Sequence, residues 1–284
     1  MKLFWNTFKN KNSFWGKYHY ENSSSWISEI TQNVNFDIIK DLDQVNDDEI
    51  IVVDSNISEK KNFYFELSNK FSKIFLIHLG DEGATEETDL IYNLCTHVWR
   101  TFWMPKFLKF SNVTCIPIGY KSGLILKNKK LDTRKYTWSF MGTVHGASRQ
   151  DMIYQNRIYQ KNLIKLTSEF GGKDSFSSNK YYEVLNDSIF APIPHGYFHP
   201  ESYRLYEALE CGCIPLIENP HNFFDNFLPN NPLIKINLWS ESSEIIKEML
   251  SDNKIFSETS NKIRDWWYNY KIKIKNTFKN KINV

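Results

Sequence analysis

A chain of 284 residues with 35 basic and 33 acidic side chains, a formal net charge of +2 and 16% aromatic residues has room for two ordinary domains, each with its own core. The near balance of charge speaks against a nucleic-acid binder and against an acidic tail, no apolar run approaches the length of a membrane span, and no secretory signal pattern opens the sequence. Cys95, Cys115, Cys211 and Cys213 lack zinc spacing and read as buried, reduced thiols, so a cytoplasmic location is expected.

Residues 1–25 are aromatic, basic and rich in Ser and Asn without clean periodicity, and are expected to form an irregular lead-in. Ile50–Asp54 reads as a buried strand, Phe63–Phe71 as a helix and Lys73–Leu79 as a second strand, running into Gly80, Asp81, Glu82 and Gly83. Thr96–Phe102 and Val113–Pro117 are two further candidate strands. Strands alternating with helical stretches predict an α/β chain with parallel sheets. The polar run Lys127–Lys135 reads as a linker, which gives an N-terminal domain over 1–130 and a second over 131–255. The second begins with a strand, Tyr136–Met141, entering Gly142, followed by a helix expected over Arg149–Phe170. Residues 256–284 form a closing helix with a basic tail.

The most informative stretch is Phe198–Ile217. Pro200 and Glu201 suit a first helical turn, where the missing N–H costs nothing and a carboxylate favours the dipole. Leu205, Ala208 and Leu209 make one apolar stripe, and Arg204 and Glu207, three apart, lie on another face. Gly212 fits the helix stop, and Cys213–Ile217 a short buried strand. A helix carrying Arg and Glu off its apolar face and feeding a strand suits nucleotide binding: the Arg can fork onto a diphosphate, and the Glu can accept from ribose hydroxyls.

Tyr181–Gly196, followed by Arg204–Leu209 and Gly212–Ile217, resembles the core of the exostosin-like glycosyltransferases, glycosyltransferase family 47, which the ribitol xylosyltransferase type shares. The resemblance covers roughly residues 136–220. It implies a GT-B fold, two Rossmann-like domains facing across a cleft, with the sugar nucleotide held mainly by the C-terminal one. It also implies a transferase that uses a nucleoside-diphosphate sugar as donor substrate and a carbohydrate acceptor; no cofactor is expected.

Four groups of residues are candidates for that chemistry. Gly142, His145 and Arg149 follow a strand and open a helix, so backbone N–H groups and a cation can meet a phosphate. His195 and Gly196 sit at a strand's carboxyl end, where ligands bind in open α/β sheets, although the family more often has Arg than His there. Arg204 and Glu207, with Glu201 as a further donor contact, form the third group. The fourth supplies the base that takes the acceptor proton, a contribution on the order of 10²–10⁴ in rate: Asp81 or Glu82, with Arg100 among Trp99–Trp103 as a cation for the acceptor. Asp41 and Asp43 match the acidic D-x-D pattern of metal-dependent transferases but precede a strand within an acidic loop, and no metal is expected.

The reading is an inverting glycosyltransferase that moves a monosaccharide onto a carbohydrate hydroxyl, in a setting such as surface-polysaccharide synthesis. The alternative is a non-catalytic carbohydrate- or nucleotide-sugar-binding protein on a degenerate GT-B fold. Trp266, Trp267 and Tyr270 are expected to pack on the N-terminal domain, with the lysines from Lys271 to Lys281 able to touch an anionic membrane surface.

Overall fold

The computed structural model describes residues 1–6, 14–43, 45–127 and 129–283, with the side chains of 14–17 left aside. The chain divides into two compact units, Met1–Ser122 with Lys271–Val284, and Gly123–Tyr270.

The first unit carries β1 (Lys2–Trp5), α1 (Phe14–Thr31), β2 (Asp37–Ile39), β3 (Glu49–Asp54), α2 (Lys61–Lys70), β4 (Lys73–His78), α3 (Asp89–Leu94), β5 (His97–Arg100) and β6 (Val113–Cys115). The strands form one parallel sheet in the order β2-β1-β3-β4-β5-β6. Ile50–Val53 and Phe75–Ile77 are fully buried, as a parallel strand covered on both faces requires. The irregular lead-in expected over 1–25 is corrected: β1 lies inside the sheet and α1 follows it, while residues 7–13 fall outside the described residues. Trp26 of α1 anchors that helix by donating its indole N–H to the Pro117 carbonyl at 2.9 Å. Gly119 makes room for it: φ is +70°, and a Cβ would stand 2.2 Å from the indole.

The second unit carries β7 (Tyr136–Thr143), α4 (Ala147–Asn156), β8 (Asn162–Thr167), α5 (Ser178–Asn186), β9 (Ser188–Ile193), α6 (Tyr203–Glu210), β10 (Ile214–Glu218), α7 (Phe223–Phe227), β11 (Ile234–Ile236), α8 (Trp239–Ser251) and the start of α9 (Asn253–Ile282). Its sheet is again parallel, in the order β11-β10-β9-β7-β8. The long helix expected over 149–170 is corrected to a ten-residue α4 followed by β8. That strand is an edge, paired only to β7 and half-exposed along most of its length, so it lacks the apolar run by which a strand announces itself. The 127–135 segment belongs wholly to the second unit. Lys127 N–H donates to Asn186 at 2.8 Å, and Arg134 binds the Ser188 and Cys211 carbonyls at 2.7 Å each.

α9 contributes to both units. Trp267 packs on Tyr206 with ring centroids 5.5 Å apart and donates to Glu210 at 2.8 Å, both within the second unit, which corrects the expectation that Trp267 docks on the N-terminal domain. It is the later turns that join the first unit: Phe278 stacks on Trp99 at 3.9 Å, and Lys271 and Lys275 both reach Glu29, at 3.2 and 3.0 Å. Two lysines of the basic tail are therefore engaged by a carboxylate.

Burial depresses two histidines of the first unit. His97 falls to about 4 through burial and the Lys281 charge, and His19 to about 4 through burial first, then the His78 and Lys60 charges against an opposing Glu86. Above pH 6.5 both are neutral in either state; below it the unfolded chain takes up protons that the folded chain refuses. Stability is thus lost as pH falls from 6.5 towards 4, by up to about 3 kcal/mol per histidine at 1.36 kcal/mol per pKa unit. Thermal melts across that window should show the fall, and His97→Gln should flatten it.

Candidate functional site

In the second unit the carboxyl ends of β7, β9 and β10 converge with the starts of α4 and α6. Gly142 is the penultimate residue of β7, and a Cβ there would stand 2.7 Å from Arg204 Nη2. The missing side chain lets the Arg204 guanidinium close on the strand end, where Nη2 donates to the Met141 carbonyl at 2.9 Å and the group lies 4.5 Å from the Phe140 ring centroid. One bond of a possible five leaves this cation with donor capacity for a ligand. Gly146, φ +81°, stands at the N-cap of α4, and no side chain caps the helix, so its first N–H groups are not taken up by a cap.

Arg149 has a different task. Nη1 donates to the Thr143 carbonyl at 2.7 Å and Nη2 to the His195 carbonyl at 2.9 Å, so it ties the loop after β7 to the loop after β9. His145 and His195 both donate to the Gly196 carbonyl, at 3.3 and 2.8 Å, which pins the same loop from two sides. Burial, then the Arg149 and His195 charges, hold His145 below the usual histidine range. Gly142, His145, Arg149, His195, Gly196 and Arg204 are thus linked into one constellation. Glu218 completes it, unforeseen from the sequence: its Oε2 accepts from Ser148 Oγ at 2.7 Å and from His195 N–H at 2.8 Å. Its one sequence signal is a carboxylate directly after the apolar strand Ile214–Ile217.

Two carboxylates expected beside Arg204 lie deeper. Glu207 is only 4% exposed, and its two oxygens accept from Tyr181 at 2.6 Å and Tyr182 at 3.1 Å on α5. The stripe of Leu205, Ala208 and Leu209 is buried as expected, but the burial of α6 extends over Tyr206 and Glu207 as well, so the position of Glu207 on an open face is corrected. Glu201, 1% exposed, accepts from Tyr206 OH, which fixes the entry to α6.

The first unit collects polar groups at the ends of its own strands. Asp54, fully buried, binds Asn6 at 2.7 Å, Tyr64 at 2.9 Å and Lys60. His78 accepts or donates at Nδ1 with Tyr92 OH, 2.8 Å away, and faces Glu86 with Nε2 at 3.4 Å. Burial alone would raise Glu86, but His78 and the backbone N–H groups of Ser58 and Ile57 outweigh it and hold the carboxyl at about 2. Arg100 corrects an expectation: it is fully buried, donates to Tyr92 OH and to the Thr101 carbonyl at 3.0 Å each, and covers the Phe107 ring at 3.6 Å. A guanidinium so enclosed positions its neighbours and does not meet an acceptor. One neighbour is Asp81, whose Oδ2 lies 3.3 Å from Arg100 while Oδ1 accepts from the N–H of Thr85 at 2.6 Å and of Glu86 at 3.1 Å. With φ +58° and both oxygens bound, Asp81 organises its own turn. Glu82 follows it on that turn, half-buried.

Residues 120–284, more than half of the chain, match the family model described as the RXYLT1 C-terminal domain. Two solved structures share the fold. Anabaena Alr3699/HepE in complex with UDP and glucose aligns with a TM-score of 0.51 and 11% identity over 83% of this chain and 78% of that one. The same protein in complex with UDP-glucose aligns at 0.50 and 12%, with the same coverage. No curated protein matches in sequence. Two parallel sheets in two units, together with this likeness, make the chain α/β of the GT-B class. The chain belongs to the RXYLT1 C-terminal domain family, of the exostosin-like glycosyltransferase type.

Proposed function

We propose that the protein is an inverting glycosyltransferase that moves a monosaccharide from a nucleoside-diphosphate sugar to a carbohydrate hydroxyl, in glycan assembly, without a required metal ion. The observation that carries this reading is the Arg204 guanidinium lying against Gly142 at the end of β7, in the unit where the uncapped start of α4 offers backbone N–H groups. Cation and oriented N–H groups on one loop system suit a diphosphate leaving group, whose charge grows as the glycosidic bond breaks. The HepE complexes, which contain UDP with glucose and UDP-glucose, support the same ligand class.

Arg204 takes the diphosphate. Arg149, His145 and His195 hold the two loops in shape around it, and Glu218 braces them from β10. Glu207, buried against Tyr181 and Tyr182, holds α6 and so keeps Arg204 in its place. The turn after β4 supplies the base, and we assign that part to its half-buried Glu82. Catalysis is then positional plus electrostatic.

A thermal-shift screen with nucleoside-diphosphate sugars, run with Mg²⁺ and with EDTA, should show stabilisation by one donor in both conditions. Arg204→Ala should weaken that binding by roughly 1.5–3 kcal/mol, the range for a charged hydrogen bond. Gly142→Ala should weaken it too, with little change in melting temperature, since the added methyl displaces only the far end of a flexible side chain. Donor binding unaltered by both substitutions would overturn the assignment, and donor binding without turnover on any acceptor would favour the non-catalytic alternative.

Glu207→Ala leaves two buried tyrosine hydroxyls without their acceptor, so it should cost roughly 2–4 kcal/mol of stability in urea titration, with Glu207→Gln intermediate.

Glu82→Gln should lower kcat by roughly 10²–10⁴ while leaving donor affinity intact. Steady-state kinetics with near-normal kcat would move the base elsewhere.

A further inference from the structure

Tyr197 and Phe198 are each 67% exposed and follow one another on the loop after β9. Single exposed aromatics are ordinary on a protein surface. Two in succession on a loop held at both ends are not. Before them, His195 is fixed through its N–H by Glu218 at 2.8 Å and through its carbonyl by Arg149 at 2.9 Å. After them, His199 is fully buried, its ring edge-on to Phe223 at 4.8 Å, and its Nδ1 accepts from Glu201 N–H at 3.1 Å. The rings themselves are set against each other. Phe198 meets Tyr197 edge-on, with centroids 4.5 Å apart at 89°, and Tyr197 meets His145 at 5.2 Å and 61°. The backbone is anchored while the aromatic surface is left to solvent, which is a preformed platform.

We propose that the Tyr197–Phe198 pair is the surface on which the nucleobase of the donor stacks, with the phosphates directed to Arg204. The inference rests on the nucleotide-sugar reading and adds the subsite that reading leaves open. Position supports it: one residue separates Tyr197 from His195, whose carbonyl Arg149 grips, and Tyr197 touches His145 of the loop that leads into α4. Chemistry favours a base over a sugar ring. A sugar stacked on an aromatic face presents hydroxyls around its rim and needs carboxylates or amides there, whereas the ring neighbours of Tyr197 are His145 and Phe198. A nucleobase needs only a π-face, and any base has one.

The test is calorimetric titration of the wild type, Tyr197→Ala, Phe198→Ala and Tyr197→Phe with UDP, ADP and inorganic pyrophosphate. Both alanine variants should lose roughly ten- to hundredfold in affinity for whichever nucleoside diphosphate the wild type binds, the range for removing one stacking ring. Pyrophosphate affinity should stay unchanged, and Tyr197→Phe should bind as the wild type does. Nucleotide affinity within twofold of wild type in both alanine variants would overturn the platform while leaving the donor site standing. An equal loss for pyrophosphate would overturn it as well, since the loop rather than the stack would then be responsible. A wild type that binds neither nucleotide nor any nucleotide sugar removes the donor reading itself, and the platform with it.

Discussion

The site in the second unit depends on how closely a guanidinium can approach the end of a β-strand. Arg204 projects from the first turn of α6, and its Nη2 reaches the carbonyl of Met141 because residue 142 has no side chain. With the cation seated there, the Phe140 ring lies beneath it and the rest of the strand end is set. The helix that carries Arg204 is in turn held by its buried side, through Glu207 against two tyrosines and Glu201 against Tyr206. A charged group is thus fixed by apolar packing and neutral hydroxyls, leaving the cation as the polar group directed to the strand end.

A parallel sheet gathers all its strand ends on one edge, because every crossover returns the chain in the same direction. Both units show the consequence. In the first, Asp54, His78 and Arg100 end three adjacent strands and are enclosed among tyrosines. In the second, Gly142, the loop from His195 and Glu218 lie at the ends of three adjacent strands, and the groups there are partly open. The two edges differ in burial rather than in composition. The enclosed network of the first unit fixes a turn, and the open one of the second is suited to a ligand.

Interlocking loops give the second edge its order. Arg149 bridges the carbonyls of Thr143 and His195, two imidazoles share the Gly196 carbonyl, and Glu218 bonds both the loop and α4. These groups come from three stretches far apart in sequence, Thr143–Arg149, His195–Gly196 and Glu218. Each bond is short-range, yet together they hold the loop rigidly enough to leave Tyr197 and Phe198 standing out in solvent.

The sequence by itself determined the α/β class and the strands whose apolar runs are unbroken, such as Ile50–Val53 and Ile214–Ile217; it offered Arg149, His195 and Arg204 as separate candidates, and the tertiary structure brought them to neighbouring strand ends. Those strands and candidates are written in local periodicity and in residues whose chemistry is plain at a glance. It could not show β1 or the edge strand β8, since a four-residue strand and a half-exposed one carry too little pattern. Nor could it separate Arg100 and Asp81, which look like site residues, from Arg204, which is placed like one. That distinction was left to the tertiary structure. Burial and the supply of partners decide whether a charged group serves its own fold or a ligand, and both are set by residues distant in the chain.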